Sequence, residues 1–362
     1  MHAMRSLIAA LAFPLLAAGT PASPLSLILE RHIAALGGIQ AIESITSVVE
    51  RGWYREGDLR IATYAAQMRP FYRVIGDPRN ALGEIHEGYD ASAWEYYPDP
   101  GIVVRTIGDA AAAARHAADF DDPLVRPESR GVILTPGQSA RLFGSSEYVV
   151  HATLSDGFSE DLFVNPTTWM IDAEKRVVPM HAFGKRYTTI DSLGDYRPEG
   201  GVMRPHTFRE IDEESGVLLT QSVVTSVEIN PKLAIAMFSP PVWDRTALQK
   251  MIQRIYDERD EASSVMATYR AYSALVNVRA DATGDAIDFV GYQCLKMGHP
   301  DTAVALLVQN VADHPDSARA YFGLGRAYEA SGRYEEARSQ YLRAIAIDPK
   351  YKRAKDALDA LR

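Results

Sequence analysis

The chain predicts an α+β fold: a large antiparallel sheet with helices, followed by an all-α array of helical repeats. Three observations predict it. Apolar residues alternate with a period of two over most of Leu25 to Pro241; the paired prolines Pro240 and Pro241 end that pattern; and from Trp243 onward the apolar period is helical, with matching residues 34 positions apart.

The elements follow in order. Ser26 to Ala35 reads as a helix, with Ser26 as its N-cap and Gly37-Gly38 as its stop. Leu59 to Ala66 and Phe71 to Ile75 alternate as strands, and the alanine run Ala110 to Ala114 marks a second helix over Asp109 to Ala118. Tyr148 to Leu154 and Phe158 to Val164 alternate on either side of Ser155-Asp156-Gly157, which predicts a hairpin. Further strands are expected at Arg176 to Phe183, Arg186 to Tyr196, Met203 to Ile211 and Leu218 to Ile229. Neighbouring strands joined by short turns pair antiparallel. The expected units are a leader over 1–22, a sheet domain over 25–241 and a helical domain over 244–362.

The leader rests on Met1 to Arg5 as a basic start, Leu7 to Ala18 as an apolar run and Thr20-Pro21-Ala22 as a small-residue cleavage site. It reads as a secretory signal peptide and predicts a periplasmic or secreted protein. No later run approaches the roughly 20 apolar residues of a membrane span, so no transmembrane segment is expected. Cys294 is the only cysteine, which excludes an intramolecular disulfide and a lipidated cysteine near the cleavage point. The net charge of −9, with no Lys/Arg cluster, argues against a nucleic-acid partner.

The 34-residue offset relates Val290 to Leu324, Gly291 to Gly325, Gly298 to Gly332, Ala303 to Ala337, Leu307 to Tyr341 and Pro315 to Pro349. With Tyr321, Tyr328, Tyr334 and Ala344 added, the second copy resembles the tetratricopeptide repeat family. The first copy departs from the pattern at Ile287, Cys294, Pro300 and Asn310. The resemblance implies repeats over about 284–317 and 318–351 and a capping helix Lys352 to Leu361, with helices inside Asp244 to Val276 flanking the array. It also implies a groove for a protein partner lined by Asp285, Asp288, Tyr292, Leu295, Lys296, Arg319, Phe322, Arg326, Glu329 and Ala330. A plain solvated face accounts for the same residues.

A second resemblance rests on motif order. Ala34-Ala35-Leu36-Gly37-Gly38, Ile42 to Val49, Arg69-Pro70, Gly88-Tyr89-Asp90 with Ala93-Trp94, Asp119-Phe120, Pro123-Leu124, Asn165-Pro166-Thr167-Thr168, Asp195-Tyr196, Gly201 to Pro205 and Asn230 to Phe238 together resemble the outer-membrane lipoprotein-sorting (LolA/LolB-like) group. The resemblance implies a curved open half-barrel wrapped around helices, with an apolar hollow for a hydrophobic small molecule or a lipoprotein acyl chain. Trp53, Tyr64, Phe71, Trp94, Phe120 and Trp169 are the candidates for its lining; ordinary core packing is the other reading of each. The helix Asp109 to Ala118 is either a lid or a fixed surface helix, and no single arginine stands out to lock it.

Catalytic signatures are missing: the chain has no Gly-x-Ser-x-Gly elbow, His-Glu-x-x-His helix or phosphate-binding Gly-x-x-x-x-Gly-Lys run. Cys294 reads as a core thiol. His86 with Glu84 is too small a set for a metal, and Asp119, Asp121 and Asp122 lack the ligand ladder of a calcium loop. No catalytic residue, metal or cofactor is assigned. The chain reads as a non-enzymatic binding protein of the cell envelope, or alternatively as a scaffold or accessory protein of an envelope assembly with no bound ligand.

Overall fold

The structure, a computed structural model, describes residues 24–70, 72–76, 86–179, 186–278 and 283–361. The expected leader 1–22, Phe71 and Glu84 lie outside the described residues.

Helices α1 (Pro24–Leu36) and α2 (Ile39–Ser44) lead into β1 (Ser47–Glu56), β2 (Leu59–Met68), β3 (Tyr72–Ile75), β4 (His86–Tyr89), β5 (Ala93–Tyr97) and β6 (Ile102–Arg105). Helix α3 (Gly108–Ala117) follows, then β7 (Ile133–Pro136), β8 (Ala140–Leu142), β9 (Ser145–Thr153), β10 (Ser159–Val164), β11 (Ile171–Pro179) and β12 (Arg186–Gly194). The remaining strands are β13 (Arg197–Glu199), β14 (Val202–Arg204), β15 (Thr207–Asp212) and β16 (Leu218–Ile229).

The main sheet runs β6-β5-β4-β3-β2-β1-β16-β15-β12-β11-β10-β9-β7, with β8 also on β9 and with β13-β14 as a separate ribbon. Every pair is antiparallel, and the ends β6 and β7 do not meet, so the sheet is open and not a closed barrel. The β1–β16 ladder joins the two halves and shifts register between Arg51 and Gly52. Only glycine fits at that bulge, since a Cβ on Gly52 would overlap the Val223 carbonyl.

The two faces of the sheet bury different partners. Ile28 of α1 packs on Val150, Leu162, Val164 and Ile171, while Leu36 and Ile42 join Ile45, Val48, Val125 and Met170. On the opposite face, Val49, Ala66, Val74 and Trp94 fall in register across β1 to β5 and pack on Phe238, whose carbonyl accepts from Trp94 Nε1 at 2.8 Å.

Several boundaries differ from the sequence reading for identifiable reasons. α1 begins at Pro24, a residue favoured in the first helical turn, which leaves Ser26 inside the helix and not at its cap. The expected strand Met203 to Ile211 is split into β14 and β15, because Pro205 between them has no N–H for the ladder. Strand β1, the short strands β4 to β8 and β13 are absent from the sequence reading.

The helical part comprises α4 (Ala247–Asp257), α5 (Ala262–Ser273), α6 (Thr283–Lys296), α7 (Pro300–Asp313), α8 (Ala318–Ala330), α9 (Tyr334–Ile347) and α10 (Lys352–Ala360). Thr246 and Gln249 form a capping box that starts α4. Ile102 and Val104 of β6 share one core with Ile252, Ile255 and Tyr256 of α4, Tyr269 of α5, Ile287 and Val290 of α6, and Leu306 of α7. The sheet edge and the helices therefore share one apolar core. Cys294 is fully buried there, and burial pushes its thiol up to about 12.

Candidate functional site

Helix α3 crosses the face of the sheet that also carries α1 and α2, touching β4 and β5 on one side and β11 on the other. Its alanines give it little apolar area for anchorage, and the polar groups near its C-terminal end do that work instead. The His116 ring stacks on Phe158 at 4.7 Å, with Nε2 2.9 Å from Asp156. Arg115 pairs with Asp119, and the Ala117 carbonyl accepts from Gln67 Nε2 at 3.3 Å.

The segment after α3 is held more firmly. Arg69 places both terminal nitrogens 2.6 Å from the Asp121 carboxylate, donates to the Ile45 and Ile42 carbonyls, and lies 4.5 Å over the Phe120 ring. The sequence reading did not single out this arginine. Asp119 also meets Arg130 at 3.1 Å, and Asp122 meets His32 Nε2 at 3.1 Å. The acidic trio is thus divided among Arg115, Arg130, Arg69 and His32, and its charge holds chain segments together. Burial opposes ionisation of Asp119 and Asp122, but their cationic partners prevail and hold both carboxyls below the ordinary value.

Beneath α3 the floor is charged. In register across β11, β12, β15, β16 and β1, the row Glu174, Asp191, Glu210, Thr220, Glu56 places three carboxylates side by side and a fourth beyond Thr220. The adjacent row is Glu160, Arg176 and Thr189. Strand spacing of about 4.8 Å brings such neighbours within electrostatic reach. Arg176 is the hub, 2.5 Å from Asp191, 3.6 Å from Glu174 and 3.8 Å from Glu160. Thr220 donates to Glu210 at 3.0 Å, and Tyr54 donates to Glu56 at 2.9 Å. Carboxylates outnumber cations here, so burial and then the Glu160 charge push Glu174 up to about 8. Glu160 is pushed up as well, chiefly by burial. Among the described residues, Arg176 Nε, Asp191 Oδ1 and Thr189 Oγ1 are buried on this floor without a hydrogen-bond partner. Such a surface can accept cationic or hydrogen-bonding groups, and it can hold a proton near neutral pH.

The helix-bearing face of the sheet is thus of two kinds. The apolar part of this face is already filled beneath α1 and α2, and the part under α3 is polar. The aromatic candidates are not gathered around it. Trp94 is buried in the core of the opposite face; Tyr64 packs there too, with Arg51 5.3 Å over its ring. Trp53, next in parity on β1, stacks under Arg60 at 4.5 Å. Phe120 and Trp169 are on the helix side but belong to packed clusters, Trp169 stacking on Tyr148 at 5.8 Å.

In the repeat helices, Arg319 of α8 draws Asp288 (2.8 Å) and Asp285 (3.1 Å) of α6 together. Lys296 lies 5.4 Å over the Tyr292 ring, and Leu295 packs on the common core. Arg326 pairs with Glu329 at 3.4 Å, and Glu329 accepts from Tyr341 of α9. Phe322 turns toward Tyr341 and Tyr351, at 5.8 and 5.6 Å, while Ala330 closes α8. The ten positions therefore divide into an α6–α8 charged patch and a set engaged with α9.

Comparison with known proteins matches residues 295–361 to the tetratricopeptide repeat family. No curated protein matches the chain. The chain is similar to solved structures of a DUF1329 family protein from Desulfovibrio piger (10% identity, 60% of this chain, 97% of that one, TM-score 0.39) and a LolA superfamily protein from Nitrosomonas europaea (14%, 59%, 97%, 0.39). It is also similar to an outer membrane lipoprotein-sorting protein domain from Vibrio parahaemolyticus (11%, 59%, 95%, 0.36).

Proposed function

We propose that the protein is an exported, non-enzymatic binding protein in which the sheet cradles a lipid or lipoprotein acyl chain and the repeat helices dock a protein partner. The observation that carries the ligand reading is the floor under α3, where Arg176 Nε, Asp191 Oδ1 and Thr189 Oγ1 are buried without partners beside an open sheet. Buried polar atoms are ordinarily satisfied, so three on one face favour a ligand that brings polar groups to them. The ligand is accordingly amphiphilic: its chain runs along the alanines of α3, and its head group meets the carboxylate row. Of the described aromatic candidates, Phe120 and Trp169 share the helix side with that floor, and Trp53, Tyr64 and Trp94 lie on the opposite face. The signal-like start at 1–22 supports a periplasmic or secreted location.

Solvent extraction of the protein purified from its export compartment, followed by mass spectrometry, tests the ligand. A stoichiometric acyl-bearing amphiphile is the expected result. A consistently empty extract favours the second reading, a scaffold or accessory protein of an envelope assembly. The filled clusters under α1 and α2 speak for that reading. For the repeat helices, Arg319→Glu reverses the charge that joins Asp285 and Asp288; loss of a partner in pull-down is expected, and an unchanged set of partners rejects docking on α6–α8.

A further inference from the structure

A second candidate site lies between the edge strand β6 and helix α4. A cavity of about 350 Å³ opens there, lined among others by Arg105, Arg245, Gln253, Tyr256, Asp257 and Arg259. Three guanidiniums against one carboxylate make this a basic pocket in a chain whose net charge is −9.

The three arginines are not equivalent. Arg105 is committed to Asp90 at 2.7 Å and to the Ser92 carbonyl at 3.0 Å. Arg245 lies 4.5 Å over the Trp243 ring, which orients the guanidinium and leaves its edge N–H groups for another acceptor. Arg259 donates from Nη1 to the Tyr256 carbonyl at 2.8 Å and lies 4.7 Å over the Tyr256 ring. Its Nε is buried and has no hydrogen-bond partner among the described residues. A buried guanidinium donor without an acceptor is unfavourable, and an oxyanion supplies the acceptor and the countercharge together. The Asp257 carboxyl is pushed up by burial, while its bond from Gln253 and the charges of Arg245 and Arg259 pull the other way, so both guanidiniums act on the same small volume.

We propose that this junction pocket binds a small organic or inorganic oxyanion, a carboxylate or a phosphate, between Arg245 and Arg259. The volume suits a small molecule, and the Tyr256 ring offers an apolar wall for the rest of it. This inference is independent of the cradle under α3.

The test uses the full chain at low ionic strength, titrated with inorganic phosphate and with succinate, against sodium chloride at matched ionic strength. Calorimetry and thermal unfolding are the readouts. Saturable binding of at least one probe is expected, weakened tenfold or more in Arg245→Gln and in Arg259→Met. The stronger of the two probes identifies the anion class. Asp257→Asn removes the competing carboxylate and is expected to tighten binding several-fold, an increase that misfolding does not produce. The proposal is overturned if neither probe binds beyond the chloride control, or if binding is indifferent to all three substitutions.

Discussion

The side-chain amide of Gln253 is bonded to both backbone groups of Val103: the Val103 N–H donates to Oε1 at 2.9 Å, and Nε2 donates to the Val103 carbonyl at 3.0 Å. Val103 lies on β6, the last strand of the sheet, so the amide of an α4 residue serves as an added rung on an otherwise unpaired edge. One turn along α4, Tyr256 donates to the Arg105 carbonyl at 3.1 Å, two residues along the same edge. Strand groups two residues apart point the same way, and helix residues three apart share a face, so both contacts follow from the two periodicities meeting.

Gln253→Leu removes both bonds while keeping the apolar stem. It is expected to destabilise the chain by about 1–3 kcal/mol in urea unfolding, because two backbone groups lose their partners. Amide exchange at Val103 should accelerate, with little change at Val150 in the far half of the sheet. Unchanged exchange at Val103 would show that the edge is held by packing alone.

Gly325→Ala tests the repeat packing. A Cβ at Gly325 would overlap the Tyr341 ring, and at Gly291, its counterpart 34 residues earlier, it would crowd Leu307. Alanine raises helix propensity by about 1 kcal/mol. Overpacking a filled core costs about 1–3 kcal/mol, and Tyr341 is fully buried with its hydroxyl fixed on Glu329, so the cost prevails. Net destabilisation by thermal unfolding is the expected result; a more stable variant would mean that α8 and α9 can separate freely.

The same pair shows what was legible in the sequence. Gly291 with Leu307 and Gly325 with Tyr341 are contacts between sequence-adjacent helices, so one repeat period predicts them both. β16 was equally legible, since apolar and β-branched residues recur through Leu218 to Ile229 between Gly216 and Asn230. β4 and β6, each of four residues, are too short to display a period. The floor under α3 was hidden for another reason. Its row joins Glu56, Asp191 and Glu210 from distant strands, and only the register decides that they share a face while Trp53 and Trp94 take the other. The Arg69–Asp121 clamp had both halves visible in the sequence, but nothing local links residues 52 positions apart.

His32 is a predicted pH sensor of stability. Its ring is buried, with Nδ1 2.7 Å from the Trp169 carbonyl and Nε2 3.1 Å from Asp122, so both nitrogens face acceptors and the doubly protonated ring satisfies both. Burial pulls its pKa down, but the Asp122 charge and hydrogen bonds raise it overall above 6.5. A raised histidine contributes fully below its unfolded value and loses that contribution as pH rises through the folded value. His32→Gln is therefore expected to cost about 1–3 kcal/mol at pH 6, with a smaller deficit at pH 9. A deficit that grows with pH would contradict the charged ring.

Glu174 predicts a pH dependence of the same sign from an acid. Its side chain is 18% exposed, and burial followed by the Glu160 charge lifts it from 4.5 to about 8. Between those values the folded chain holds a proton that the unfolded chain has released, so this group's contribution is present below 4.5 and is lost as pH rises through about 8. Glu174→Gln keeps the shape and removes the ionisation. Its stability relative to the parent should therefore rise between pH 5 and pH 9, by roughly 1 kcal/mol or more, in urea unfolding across that range. A carboxyl-labelled NMR titration gives the direct reading: a Glu174 resonance that titrates near 4.5 would mean that the floor under α3 is wet enough to ionise freely, and the row of carboxylates would then be an ordinary solvated surface.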